Sequence, residues 1–171
     1  MGSLKYISVT SPDINNGLGC RATLWISGCN RRCPHCHNQE LWRYDIGKPI
    51  NEAKEEVEKA LNKPYIKGLT LSGGDPLDQD DEALKELYEF VSWLKVRFPS
   101  KDIWIYSGDY FKHFDGLAMD ILKLCDVMVD GPYIHELRDI TLPFRGSQNQ
   151  SIIDLKKTFE KGEVIELEIK N

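Results

Sequence analysis

The sequence predicts an α/β fold built on a parallel sheet. Strand and helix patterns alternate through three consecutive βα units, no fixed-period repeat or long linker interrupts them, and 171 residues suit a single domain spanning 1–171. Three βα units in a row imply parallel strands joined by right-handed crossovers. A closed eightfold β/α barrel usually needs about 250 residues, which argues against a complete one here.

The elements follow in order. Residues 4–10 (LKYISVT) and 21–27 (RATLWIS) are rich in β-branched and aromatic side chains and read as strands. Residues 28–49 are irregular, broken by Gly28, Pro34, Gly47 and Pro49. Asn51 can cap a helix running to about Asn62, with Glu52, Glu55 and Glu56 near its positive end. Residues 68–72 (GLTLS) form a short apolar strand that Gly73-Gly74 ends. Asp78 or Asp80 then caps a helix over about 80–98, where Leu84, Leu87, Val91 and Leu94 recur at helical spacing and form a core stripe. Residues 102–107 (DIWIYS) read as a strand buried on both faces, 117–124 as a weaker helix and 126–130 as a further strand. The core is expected over about 4–150, with a strand or hairpin near 151–169.

Composition excludes several classes. The hydrophobic fraction of 41% is too high for a disordered chain. Twenty-two basic against 27 acidic residues leave a net charge of −5, which argues against a nucleic-acid binder. No stretch approaches the roughly 20 apolar residues of a membrane span, and the N-terminus lacks a signal-peptide pattern. A cytoplasmic protein is expected.

The chemistry concentrates in one loop. Three of five cysteines fall within eight residues, Cys29-Asn-Arg-Arg-Cys33-Pro-His-Cys36, directly after a strand. In parallel β/α folds, active-site loops lie beyond the carboxyl ends of strands. Such crowding without a secretory pattern points to metal or redox chemistry rather than disulfides. Thiolates suit an iron–sulfur cluster or zinc. Three of them would leave one iron of a 4Fe–4S cube open to an external ligand. Zinc held by the three cysteines and His35 or His37 is the structural alternative. An electron carrier would usually supply a fourth cysteine, which is missing nearby. Cys125 follows an apolar helical stretch and reads as a core thiol, and Cys20 lies in a Gly-rich turn outside the loop.

C-x3-C-x2-C after a core strand resembles the signature of radical S-adenosylmethionine (SAM) enzymes. Gly73-Gly74-Asp75-Pro76 looks like their GGE motif, with Asp in place of the commoner Glu. Further blocks are Asn16-Gly-Leu-Gly-Cys-Arg21, Cys36-His-Asn38, Leu69-Thr-Leu-Ser-Gly-Gly-Asp-Pro-Leu77, Asp130-Gly-Pro-Tyr133 and Arg145-Gly-Ser-Gln-Asn-Gln150. In this order they resemble the activating proteins of anaerobic ribonucleotide reductase. Leu18 stands where that family often has Pro, and Ser151 where Arg is frequent.

The resemblance implies an incomplete, open parallel β/α barrel of five or six strands. It implies a 4Fe–4S cluster held by Cys29, Cys33 and Cys36, the catalytic and metal-binding set. It also implies SAM contacts from His35, Cys36, His37, Ser72, Gly73, Gly74 and Asp75, with Asp75 accepting from the amino group and His35 near the adenine. An external donor such as flavodoxin or ferredoxin would reduce the cluster, and the radical target would be a glycine on the large catalytic subunit of the reductase. An activase for another glycyl radical enzyme, or a small radical SAM enzyme with a small-molecule substrate, is the alternative within the superfamily. Ser107 is expected at the same mouth. Asp130 is expected to start a turn, and Arg31 and Arg32 to stay solvated. Arg145 is expected in a surface salt bridge, with an anionic group of SAM or the partner as its other candidate.

Overall fold

The middle of the molecule is the strand β4 (Gly68–Gly73), buried along its whole length. It is flanked in parallel by β2 (Arg21–Ile26) and β5 (Asp102–Tyr106), with β6 (Val127–Asp130) parallel beyond β5. The computed structural model describes residues 3–36 and 38–169. Among these the sheet has seven strands in the order β3-β1-β2-β4-β5-β6-β7. β1 (Lys5–Asp13) runs antiparallel to β2, β3 (Lys48–Pro49) antiparallel to β1, and β7 (Ser151–Asp154) antiparallel to β6.

The sheet is open, as expected, with its four central strands parallel. It differs from the expected all-parallel five or six strands at both margins. Only β2–β4, β4–β5 and β5–β6 are linked by helical crossovers. The β1–β2 connection is a short turn, which forces antiparallel pairing.

Alternation along the strands sorts the two faces. Ala22, Leu24, Ile26, Leu69, Leu71, Ile103, Ile105 and Met128 join the helices in the larger core cluster. The opposite face is mixed. Trp104, Val127, Val129 and Ile152 form a second cluster, while Arg21, Thr23, Thr70 and Ser72 are buried polar groups. Arg21 is wholly buried yet satisfied. Nε donates to Thr70 Oγ1 at 2.8 Å, Nη1 to the Leu18 carbonyl at 3.0 Å and Nη2 to that of Leu69 at 3.1 Å. Asp102 pairs with it at 2.6 Å, and its guanidinium lies 5.4 Å from the Trp104 ring. A buried charge is tolerated only with such a complete set of partners.

Helix α1 (Lys54–Leu61) buries Val57, Ala60 and Leu61. Helix α2 (Asp81–Arg97) buries Ala83, Leu84, Leu87, Phe90, Val91 and Leu94, each large side chain contributing about 1.5–3 kcal/mol. Asp80 is its cap, accepting from Ala83 N at 2.9 Å. Asp81 and Glu82 lie in its first turn, and Lys95 and Arg97 in its last, each matching the helix dipole. Helix α3 (Gly116–Leu124) packs beside α2.

The tail holds a strand, as expected, and a helix that was not expected. β7 is followed by α4 (Leu155–Lys161), capped by Asp154 and closed by Gly162 in a left-handed conformation. The chain then returns beside β7, where Glu166 bridges Ile153, Asp154 N donates to the Ile165 carbonyl and Leu167 N to that of Ile152. At seven residues, α4 is too short for helical periodicity to stand out. No helix among the described residues is long and apolar enough to cross a membrane.

Candidate functional site

The carboxyl ends of β2 and β4 are stitched together. Gly74 N donates to the Ile26 carbonyl and Asp75 N to that of Gly28, both at 2.8 Å. Gly28 N in turn donates to the Leu41 carbonyl at 2.8 Å, and Cys29 N to that of Trp42 at 3.1 Å. The cysteine loop therefore leaves from β2 and returns beside its own start.

Glycine is required at the join. Gly73 has φ +120°, and a Cβ there would overlap the Ile26 carbonyl. A Cβ on Gly74 would lie 2.5 Å from the Gly28 oxygen and 2.6 Å from that of Leu41. Backbone cannot yield at those distances, so glycine is what lets the turn after β4 close against the two ends of the cysteine loop.

Cys29, Cys33, Cys36, Ser72, Gly73, Gly74 and Asp75 line one cavity of about 680 Å³. Ser107 and Gly108 join from the end of β5, Asn15 and Asn16 from the β1–β2 turn, and Tyr133, His135 and Arg145 from the β6–β7 connection. Seven of the residues singled out in the sequence thus share one cavity at the strand ends. Among the described residues, no group of three or more His, Cys, Asp or Glu side chains is drawn to metal-binding distance. The three thiols share a wall without converging on a point.

Their chemistry suits a soft metal centre. All three are free thiols, with no disulfide among them. Asn38 N points at Cys36 Sγ from 3.4 Å. Burial pushes the Cys29 thiol up to about 11, with Asp75 and Asp78 adding to the shift and Arg31 opposing it, and burial likewise raises Cys33. A metal bound by these thiols would displace their protons, its charge offsetting the cost of burying the thiolates.

Asp75 is 1% exposed and fully engaged. Oδ1 accepts from Leu77 N and from Ser107 Oγ, both at 2.9 Å. Oδ2 accepts from Gly108 N at 2.9 Å, from Ser107 Oγ at 3.1 Å and from Arg31 Nε. The carboxylate expected to take an amino group is here the tie between three loops. Arg31, expected in solvent, also meets Asp109 at 3.7 Å. Burial opposes its charge, but Asp75, Asp78 and Asp109 outweigh burial and raise its pKa.

His35 adopts φ +62° and stacks on His135, ring centroids 3.9 Å apart and planes 25° apart. Its ring thus faces a side chain that sequence reasoning missed. A histidine one hundred positions away offers no local signal. His37 lies outside the described residues. Asp78 does not cap α2. Its Oδ2 accepts from Asn30 N at 2.8 Å, and its carbonyl from the Tyr44 hydroxyl at 2.7 Å, bracing the cysteine loop. Cys125 is buried in the main cluster, as its apolar setting predicted, and burial raises its pKa.

Residues 15–153 match a family described as a 4Fe-4S single cluster domain. The chain is similar to the anaerobic ribonucleoside-triphosphate reductase-activating protein of Escherichia coli K12, 37% identical over 156 residues that cover 90% of this chain and 100% of that one. The protein of the same name from enterobacteria phage T4 is 40% identical over 151 residues, 87% of this chain and 93% of its own. That from Haemophilus influenzae is 38% identical over 152 residues, 87% and 97% of the two chains.

Proposed function

The chain belongs to the family of anaerobic ribonucleoside-triphosphate reductase-activating proteins, and on that premise we propose that its cavity binds a 4Fe–4S cluster and SAM to make a glycyl radical on the large reductase subunit. The observation that carries this reading is the shared wall: Cys29, Cys33 and Cys36 line the same cavity as the bare backbone of Gly73-Gly74.

When bound, the cluster supplies one electron to the sulfonium of SAM, giving methionine and the 5′-deoxyadenosyl radical that takes hydrogen from the partner's glycine. Cys29, Cys33 and Cys36 are the cluster's holders. Gly73 and Gly74 let the turn close on the cysteine loop and line the cavity where the methionine end would lie. Asp75 is a positioning residue. Its bonds to Leu77, Ser107, Gly108 and Arg31 fix the turn after β4 against β5 and the cysteine loop. His135 lines the cavity and His35 stacks on it, an aromatic pair suited to a flat base. The open sheet leaves the cavity accessible to a polypeptide, and an external one-electron donor completes the cycle.

The test is anaerobic. Iron-reconstituted chain with reductant and SAM should release 5′-deoxyadenosine, and addition of the large reductase subunit should produce a glycyl doublet by electron paramagnetic resonance. No 5′-deoxyadenosine from fully loaded protein would refute the reading.

A further inference from the structure

Three arginines line the cavity; one is ion-paired and one is exposed and hydrogen-bonded. Arg31 is held by Asp75 and Asp109. Arg138 Nη1 lies 3.1 Å from His135 Nε2 and 3.2 Å from the His135 carbonyl. Arg145 differs. Its Nε is buried without a hydrogen-bond partner, and among the described residues its guanidinium has no ion pair, contrary to the surface salt bridge expected of it. Asp139 feels its charge at a distance, but that carboxylate is bonded by Thr141 N, Thr141 Oγ1 and Gln148 Nε2.

The backbone around Arg145 is pinned on both sides. Phe144 adopts φ +58°, its carbonyl accepts from the Tyr106 hydroxyl at 2.7 Å, and its ring packs edge-on to Trp104 at 5.5 Å. On the other side, Gly146 N and Ser147 N donate to Gln150 Oε1 at 3.0 and 3.1 Å, and Gln150 Nε2 donates to the Gly131 carbonyl at 3.0 Å. A residue held in a sparsely populated conformation on a braced corner is preorganised. A partly buried guanidinium lacking a partner calls for an anion, and its planar fork matches a carboxylate.

We infer that Arg145 is the carboxylate-binding residue of this cavity, pairing with the α-carboxylate of SAM. The assignment rests on the reading of the cavity as a SAM site. The ligand's chemistry singles out that group. Its ammonium and sulfonium are cations and its adenosine is neutral, so the carboxylate is its one anion. The glycine to be activated has no side chain and so offers no charge of its own. The Gly73-Gly74 main chain and Arg145 then grip one amino-acid end from different walls, the first from β4 and the second from the β6–β7 connection.

The experiment is equilibrium dialysis on anaerobic, iron-reconstituted wild type, Arg145→Gln and Arg145→Lys, using SAM and decarboxylated SAM as probes, with iron content measured in parallel. Arg145→Gln should weaken SAM by about 10- to 100-fold, the usual effect of a lost charge-assisted pair. It should leave decarboxylated SAM within about twofold, as expected when a cycle removes only that one contact. Arg145→Lys should fall between, because it keeps the charge and loses the fork. Iron content should not change. Equal weakening of both probes, in either variant, overturns the assignment. So does unchanged SAM affinity, and a loss of partner activation alongside it would give Arg145 to the partner. Failure of the wild type to bind either probe is the distinct result that removes the SAM reading itself, and the assignment with it.

Discussion

The Ser107 hydroxyl lies within reach of both oxygens of Asp75, at 2.9 and 3.1 Å, and so ties the end of β5 to the glycine turn after β4. Asp75 is the hub and Ser107 one of its spokes. Removing the hub leaves half-buried Arg31 with only its longer contact to Asp109, and two backbone donors without their acceptor. Asp75→Ala should lower unfolding free energy by about 3 kcal/mol, as for other broken buried pairs. Ser107→Ala should cost about 1 kcal/mol, the worth of one ordinary hydrogen bond. Anaerobic urea unfolding measures both, and equal losses would show that Asp75 is not the hub.

Gly74→Ala places a methyl group against the backbone oxygens of Gly28 and Leu41. Overpacking of this kind costs about 1–3 kcal/mol. The oxygens belong to the two ends of the cysteine loop, so the strain falls on the site. The variant should melt at lower temperature and bind SAM more weakly than wild type, by calorimetry and dialysis. Wild-type affinity would mean that the turn does not touch the ligand.

Asp130 supplies a pH signature. It is 5% exposed, and burial raises its pKa above the ordinary carboxylate value, although its oxygens accept from Phe111 N and Ser151 N. The folded state therefore holds this proton more tightly than the unfolded state. Its contribution to stability is fully present below the unfolded pKa and is lost as pH rises through the folded one. Asp130→Asn removes the titration. The unfolding free energy of wild type minus that of the variant should fall as pH climbs through this window, whatever the offset from the changed hydrogen bonds. A difference that stays flat or grows with pH would contradict the burial argument.

The sequence made the strands and the cysteine loop legible for physical reasons. The run 21–27, strand 68–72 with its terminal glycines and the 84–94 stripe each state their element through local pattern, and the structure places them within a few residues of expectation. Asp130 was read as the start of a turn, and it also binds the backbone of Phe111 and Ser151. What could not be read are partnerships made by folding across long separations. Arg31 with Asp75 is one, across 44 positions, and His35 with His135 another. Arg31 sits among polar neighbours and gives no sign of being drawn inward. The antiparallel margins were equally hidden, since alternation does not reveal strand direction. The tail helix was missed because two turns carry too little periodicity.

The most direct measurement is 5′-deoxyadenosine release by anaerobically reconstituted chain carrying single alanine substitutions at each of its five cysteines, with iron determined on the same samples. Cys29→Ala, Cys33→Ala and Cys36→Ala should lose iron and fall to background. Cys20→Ala, and Cys125→Ser should the alanine variant at that buried position not fold, should keep both. Undiminished release from any one of the three loop variants would contradict a cluster held by those thiols.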